Sequence, residues 1–135
     1  MTERTGGCLC GAVRYKINVE PVVTAVCHCT HCQRQSGGMF STNLVVPEPA
    51  YEQMGETKVY EDWGDSGQAV LRHFCGACGS PILSRAATVP GMALVKAGTL
   101  DDMSGIMPVV EVYCDHAAAW VQPIPGARRL AQGSA

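Results

Sequence analysis

The chain has no run of lysine or arginine, and its formal net charge is −2. A basic face able to neutralise phosphates is therefore missing, which argues against nucleic acid as a partner. No apolar stretch approaches the roughly 20 residues that a membrane-spanning helix needs. Met1 to Gly7 lacks the apolar segment of a secretory leader. The expected location is the cytoplasm, with no membrane partner. Aromatics are scarce, with two Phe and two Trp, so the core has to come from Val, Ala, Leu and Ile. No internal repeat, low-complexity segment or linker-like run divides the sequence. Its 135 residues match a prior of roughly 100–200 residues per domain, and a single domain over 1–135 is expected.

What the chain has in quantity is turn residues and sulfur. Fifteen Gly and eight Pro favour short elements over long helices. Gly11 to Val19 alternates, with Val13, Tyr15, Ile17 and Val19 on one face and Arg14, Lys16 and Asn18 on the other. That is the period of a half-buried strand. Further strands are expected over 22–26, 40–46, 57–61, 69–74, 81–84, 92–96 and 108–113. Gln33 to Gly38 reads as a short helical turn or loop, and Asp62 to Gly67 as a hairpin-like turn. Thr99-Leu-Asp-Asp102 reads as one helical turn with acids near its start. The segment after Trp120 carries two prolines and reads as a loose tail. The fold class is mainly β.

Eight cysteines are many for this length, and a reducing compartment would not keep them as disulfides. Cys8 and Cys10 are one residue apart, Cys27, Cys29 and Cys32 form C-x-C-x-x-C, and Cys75 and Cys78 form C-x-x-C. Such tight spacing belongs to metal ligands. Zinc takes four ligands in a closed structural site and three in a site that keeps a position open. Seven clustered cysteines can therefore divide into four and three. Joining the Cys8/Cys10 and Cys75/Cys78 pairs leaves Cys27, Cys29 and Cys32 as the open set. A competing count adds His28 or His31 to that triplet and closes it as well; spacing alone leaves the pairing undecided. A redox role for Cys75-Gly-Ala-Cys78 lacks the βαβ context such motifs have. Cys114 stands alone and reads as a small buried or half-buried thiol.

The segments Gly7-Cys-Leu-Cys-Gly-Ala-Val13, Cys27-His-Cys-Thr-His-Cys32 with Ser36-Gly37, and Phe74-Cys-Gly-Ala-Cys-Gly-Ser80 carry a resemblance, supported by Gly98-Thr-Leu-Asp-Asp102 and Trp120. In these the chain resembles the glutathione-dependent formaldehyde-activating enzymes, a family that includes the centromere protein V type of domain. The resemblance implies a compact, zinc-stabilised set of small coiled β-sheets, called Mss4-like. It implies two zinc ions, one structural on Cys8, Cys10, Cys75 and Cys78, the other catalytic on Cys27, Cys29 and Cys32. It also implies a small-molecule thiol partner such as glutathione.

A thiol bound at an open zinc position loses its proton, and a thiolate placed beside an aldehyde can add to the carbonyl. The expected activity is a carbon–sulfur lyase-type reaction on adducts of a thiol with a small aldehyde or related electrophile. An acid must protonate the new alkoxide, and His28, His31 and His73 are the candidates. Arg34 and Arg72 could meet carboxylates of a peptide-like thiol, or lie solvated on the surface. Asp101 and Asp102 are expected to cap a turn. The alternative function is a non-catalytic, zinc-stabilised binding module.

Overall fold

The computed structural model describes residues 3–133. In chain order its strands are β1 (Arg4–Gly7), β2 (Arg14–Ile17), β3 (Val23–Cys27), β4 (Ser41–Pro47), β5 (Tyr51–Met54), β6 (Lys58–Trp63), β7 (Ala69–Phe74), β8 (Pro81–Ala86), β9 (Met92–Lys96), β10 (Val110–Val112) and β11 (Arg128–Arg129). Helix α1 (Thr30–Ser36) lies between β3 and β4. None of the described helices is long and apolar enough to cross a membrane.

The alternating segment yields β2, with Tyr15 and Ile17 fully buried and Lys16 exposed. The strand is shorter than its sequence pattern because Gly11, at φ 84°, belongs to the preceding turn. β2 lies between β1 and β5 in an antiparallel three-stranded sheet. Neither neighbour is visible as a strand in the sequence. β1 is Arg-Thr-Gly-Gly, and glycine is a poor strand former. Gly6 is there because space demands it: a Cβ would collide with the Thr99 carbonyl and the Tyr15 hydroxyl. The Thr99-Leu-Asp-Asp102 segment packs closely on β1, with Asp101 N–H donating to the Thr5 carbonyl at 2.9 Å.

The remaining strands form one eight-stranded sheet in the order β11-β10-β3-β4-β9-β8-β7-β6. Its pairs are antiparallel except that β10 runs parallel to both β3 and β11. The register separates its two faces, because directly paired residues share a side. One face carries Val26, Leu44, Val46, Leu83, Ala93 and Val95, all essentially inaccessible to water. With Val13, Tyr15 and Ile17 of the small sheet, most of these form the apolar core. The other face carries Cys27 opposite Ser41, Asn43 opposite Lys96, and Arg72 opposite Ser84. These side chains are polar and yet largely buried.

Several expectations need correction. The helical turn expected over 33–38 begins earlier, at Thr30, because the Cys29 sulfur caps it, accepting from Cys32 N–H at 3.2 Å. Gly37 ends it in the left-handed conformation, φ 75°, as helix C-termini commonly do. The turn expected over 62–67 is confined to Gly64–Gly67, since Asp62 and Trp63 remain paired in β6. The helical turn expected over 99–102 is a 3-10 turn that begins two residues earlier, Ala97–Thr99. The tail is not loose: Arg128 N–H donates to Val109 O at 2.9 Å and Leu130 N–H to Glu111 O at 2.9 Å. It also supplies two ligands to Glu111, since Ile124 N–H and Arg129 Nη1 both donate to Glu111 Oε2, at 3.0 and 2.9 Å.

Candidate metal centres

The turn between β1 and β2 and the turn between β7 and β8 bring Cys8, Cys10, Cys75 and Cys78 together, with all four sulfurs within 4.8 Å of one another. Cys8 and Cys10 sulfurs are 3.6 Å apart, and Cys10 and Cys75 sulfurs 3.7 Å. Zinc–sulfur bonds of about 2.3 Å in a tetrahedron put sulfurs ~3.8 Å apart, so the spacing fits that ion. Backbone N–H groups are already aimed at the sulfurs, Val13 at Cys8 (3.2 Å) and Ala77 at Cys75 (3.4 Å). The Leu9 N–H occupies the Ser80 oxygen at 3.1 Å, which frees that hydroxyl to donate to Cys78 Sγ at 3.2 Å. The Ser80 hydroxyl and backbone lower the Cys78 thiol to a pKa of about 5.

The second group is Cys27, Cys29 and Cys32, whose sulfurs also lie within 4.8 Å of one another. Cys27 ends β3, Cys29 caps α1, and Cys32 is in its first turn. Contact among the three drives them apart in acidity. Hydrogen bonds from Cys27 and then Cys29 push Cys32 down, aided by Lys96 and Ser41, while Cys29 and Cys32 push Cys27 up. Three crowded thiols cannot all ionise without a cation among them. A soft, all-thiolate donor set of this kind suits zinc.

No imidazole completes this triplet among the described residues. His28, although buried, gives its Nε2 to Glu111 Oε1 at 2.8 Å. His31 Nδ1 faces Asp62 at 2.8 Å, and its Nε2 faces Asp65 at 3.5 Å. The competing count, in which His28 or His31 closes the site, therefore has no geometric support. His73 lies on the opposite side of β7 from Arg72, between Thr57 Oγ1 (3.0 Å) and Arg85 Nη1 (3.1 Å). Arg34 is exposed on α1. Asp101 is engaged by Thr5 and Arg14, which hold its carboxyl down to about 2, and Asp102 accepts from Ser104 N–H at 2.9 Å. Cys114 is partly buried, its sulfur 3.5 Å from the Glu111 carbonyl oxygen.

The triplet rests on the polar face of the large sheet. Ser41, Asn43, Arg72, Ser84 and Lys96 are all buried there. Arg72 Nε donates to Asp62 Oδ2 at 2.9 Å, so Asp62 is shared between Arg72 and His31. Burial opposes the charge of Asp62, but Arg72 and His31 prevail and hold its pKa low. Beyond the ends of β3 and β10 opens a cleft of about 560 Å³ lined by Asp65, Ser66, Tyr113, Asp115, His116 and the tail at Gln132 and Gly133. Tyr113 follows Val112, the cross-strand partner of Cys27. It is the one described non-glycine residue at positive φ, 55°, a conformation a bulky residue holds only under constraint. Sequence reading missed Asn43, Asp62, Lys96, Glu111 and Tyr113. For Asn43 a signal existed: a polar residue alternating with Leu44 and Val46 inside an apolar strand.

None of the curated proteins matches this chain. A crystal structure of a Rhodobacter sphaeroides protein is similar in fold, with a TM-score of 0.59 at 19% identity, covering 77% of this chain and 91% of that one. The model of the family described as glutathione-dependent formaldehyde-activating enzyme matches residues 3–116, a span that contains both sulfur groups. On that match the chain belongs to the glutathione-dependent formaldehyde-activating enzyme family.

Proposed function

We propose that the protein is a zinc-dependent carbon–sulfur lyase-type enzyme acting on adducts between a small thiol, such as glutathione, and a small aldehyde or related electrophile. The observation that carries this reading is the inequality of the two sulfur groups: one offers four donors, the other three. Cys8, Cys10, Cys75 and Cys78 hold a structural zinc in this reading, and Cys27, Cys29 and Cys32 a second ion. An ion held by Cys27, Cys29 and Cys32 would supply the means to bind a thiol as its thiolate. The chain's own residues place the partners and handle the proton. In the forward direction the thiol gives up its proton, its sulfur forms a bond to the carbonyl carbon as the C=O π bond opens onto oxygen, and that oxygen takes up a proton. The reverse breaks the carbon–sulfur bond and returns that proton.

Of the three candidate histidines, His28 is locked to buried Glu111 and His73 is on the far face. His31 is the one with a nitrogen toward Asp65 at the cleft, and we assign it the proton. Asp62 fixes the ring through Nδ1. Holding both reactants side by side at the triplet would contribute roughly 7–11 kcal/mol when alignment is good. Residues 1–135 are read as one zinc-stabilised domain working in the cytoplasm, without nucleic-acid or membrane partners.

The test is magnetisation exchange by NMR between free formaldehyde hydrate and its glutathione adduct. Catalytic amounts of zinc-loaded protein are expected to raise the exchange rate, and Cys29→Ser to abolish the increase. Equal rates with wild-type protein, Cys29→Ser and no protein would leave the chain a zinc-stabilised binding module.

A further inference from the structure

Among the buried charged side chains on the polar face, Lys96 is the one with no acidic partner. Arg72 has Asp62. Lys96 is 9% exposed, yet none of the ion pairs among the described residues includes it. Its ammonium makes one hydrogen bond, to Asn43 Oδ1 at 2.9 Å. A buried ammonium has three donors to satisfy and is costly without a compensating negative charge. Asn43 is neutral and cannot supply that charge.

The chain of contacts points to where the charge lies. Asn43 Nδ2 donates to Ser41 Oγ at 3.1 Å. Ser41 stands directly across from Cys27 and beside Cys32. Burial pushes the Lys96 ammonium toward its neutral form and Arg72 adds to that, while the sulfurs of Cys32, Cys27 and Cys29 favour its charge. Three thiolates and a divalent ion carry a net charge of −1, and Lys96 brings the assembly to zero. Arg72 also meets Cys32, but it adds no net charge because Asp62 balances it. Without Lys96, an anionic fourth ligand would raise the buried charge to −2; with it, the charge stops at −1.

We propose that Lys96 is the counter-ion of the Cys27–Cys29–Cys32 centre, and that its fixed positive charge makes the centre favour an anionic fourth ligand, a thiolate, over a neutral one. This deepens the function proposed above and rests on the triplet holding a metal.

The test uses full-length protein loaded with cobalt(II), whose absorption reports on coordination at the triplet. Wild-type, Lys96→Met and Lys96→Arg proteins are compared by chelator competition and by titration with 2-mercaptoethanol, which binds as a thiolate, and with neutral imidazole. Lys96→Met is expected to lose affinity for the second ion on the order of 10–100-fold, the range for losing an outer partner of a metal site. Its preference for thiol over imidazole should fall at least about 10-fold, by the same argument. The four-cysteine ion should be retained unchanged, and Lys96→Arg should restore both properties. The metal-free Lys96→Met protein should melt no lower than metal-free wild type, since an uncompensated charge has been removed. If Lys96→Met does not fold, Lys96→Gln carries the same expectations. Two bound ions with an unchanged ligand preference in the uncharged variant would overturn the counter-ion role alone. A wild-type protein that takes up a single cobalt would overturn the zinc reading as well.

Discussion

Replacing Glu111 with alanine tests how the tail and the strand that carries Cys27 are joined. Glu111 is 1% exposed and sits in β10, between β3 and β11. Its Oε1 meets His28 Nε2 at 2.8 Å, and its Oε2 accepts from Ile124 N–H and Arg129 Nη1 at 3.0 and 2.9 Å. Truncation strands two donors, the buried His28 Nε2 and the partly buried Ile124 N–H, at ~1–3 kcal/mol each, the second toward the low end. His28 Nδ1 already lacks a partner, so the ring would be left with none. Arg129 is about one-third exposed and can turn to water, so its share is small. The expected loss is about 3–5 kcal/mol, the range for breaking a buried ion pair on one side. Glu111→Gln should cost less, about 1–2 kcal/mol, because its amide oxygen can still serve Ile124 and Arg129. Urea unfolding of zinc-loaded protein measures both. Amide exchange at Arg128 and Leu130 reports whether the tail has come free. The sign with pH follows from the low carboxyl pKa of Glu111: burial opposes the charge, but His28, the Ile124 amide and Arg129 outweigh it. Its contribution is complete above an unfolded-state value of about 4.3 and fades as pH falls through the lower folded value. The gap between wild type and Glu111→Gln should therefore narrow below about pH 4. A Glu111→Ala protein within about 1 kcal/mol of wild type, with its tail amides still protected, would refute the argument.

Cys29→Ser should fold normally and bring the zinc content from two toward one, as measured by elemental analysis, whereas Cys75→Ser should fail to fold or lose several kcal/mol in thermal unfolding. Unchanged melting of Cys75→Ser would contradict a structural role for the four-sulfur group. Asp101 should titrate near 2 by carboxyl NMR, given its partners Arg14 and Thr5, and Arg14→Gln should move that midpoint up toward the ordinary aspartate range. Tyr113→Asn, which tolerates positive φ, should relieve roughly 1–3 kcal/mol of backbone strain. It should leave stability unchanged or raised while slowing adduct exchange. A stability loss above about 2 kcal/mol would mean that the ring's packing outweighs the strain.

Strands with an alternating or continuous apolar pattern were legible because burial on one or both faces leaves a period of two. β2, β4 and β9 are of this kind. β1, β5 and β11 were not legible, since each is held by neighbours rather than by its own residues. β1 is a strand because Tyr15 and the 97–101 segment need glycine backbone beside them. β11 is a strand because β10 offers it an edge and Glu111 anchors it. A proline-bearing tail carries no mark of a carboxylate that lies 13 residues before Ile124.

The sulfur groups were legible for the opposite reason. Metal-ligand chemistry demands particular residues at short spacing, and that demand is written locally. What surrounds them obeys sheet register, which is written nowhere in a single stretch. Cys27, Ser41, Asn43, Lys96, Ser84 and Arg72 come from five strands, and they share a face only through pairing across β3, β4, β9, β8 and β7. A one-residue slip between β4 and β9 would exchange Lys96 for Val95 on that face. Leu44 and Val46, which alternate with Asn43 and Val45, resist such a slip because it would turn them out of the core. The apolar face thus fixes the register, and the register delivers the charge to the sulfurs. A core substitution that loosens β4 against β9, such as Leu44→Ala, should therefore weaken metal retention at the triplet more than at the four-cysteine group, although Leu44 lies on the face away from both Lys96 and the triplet.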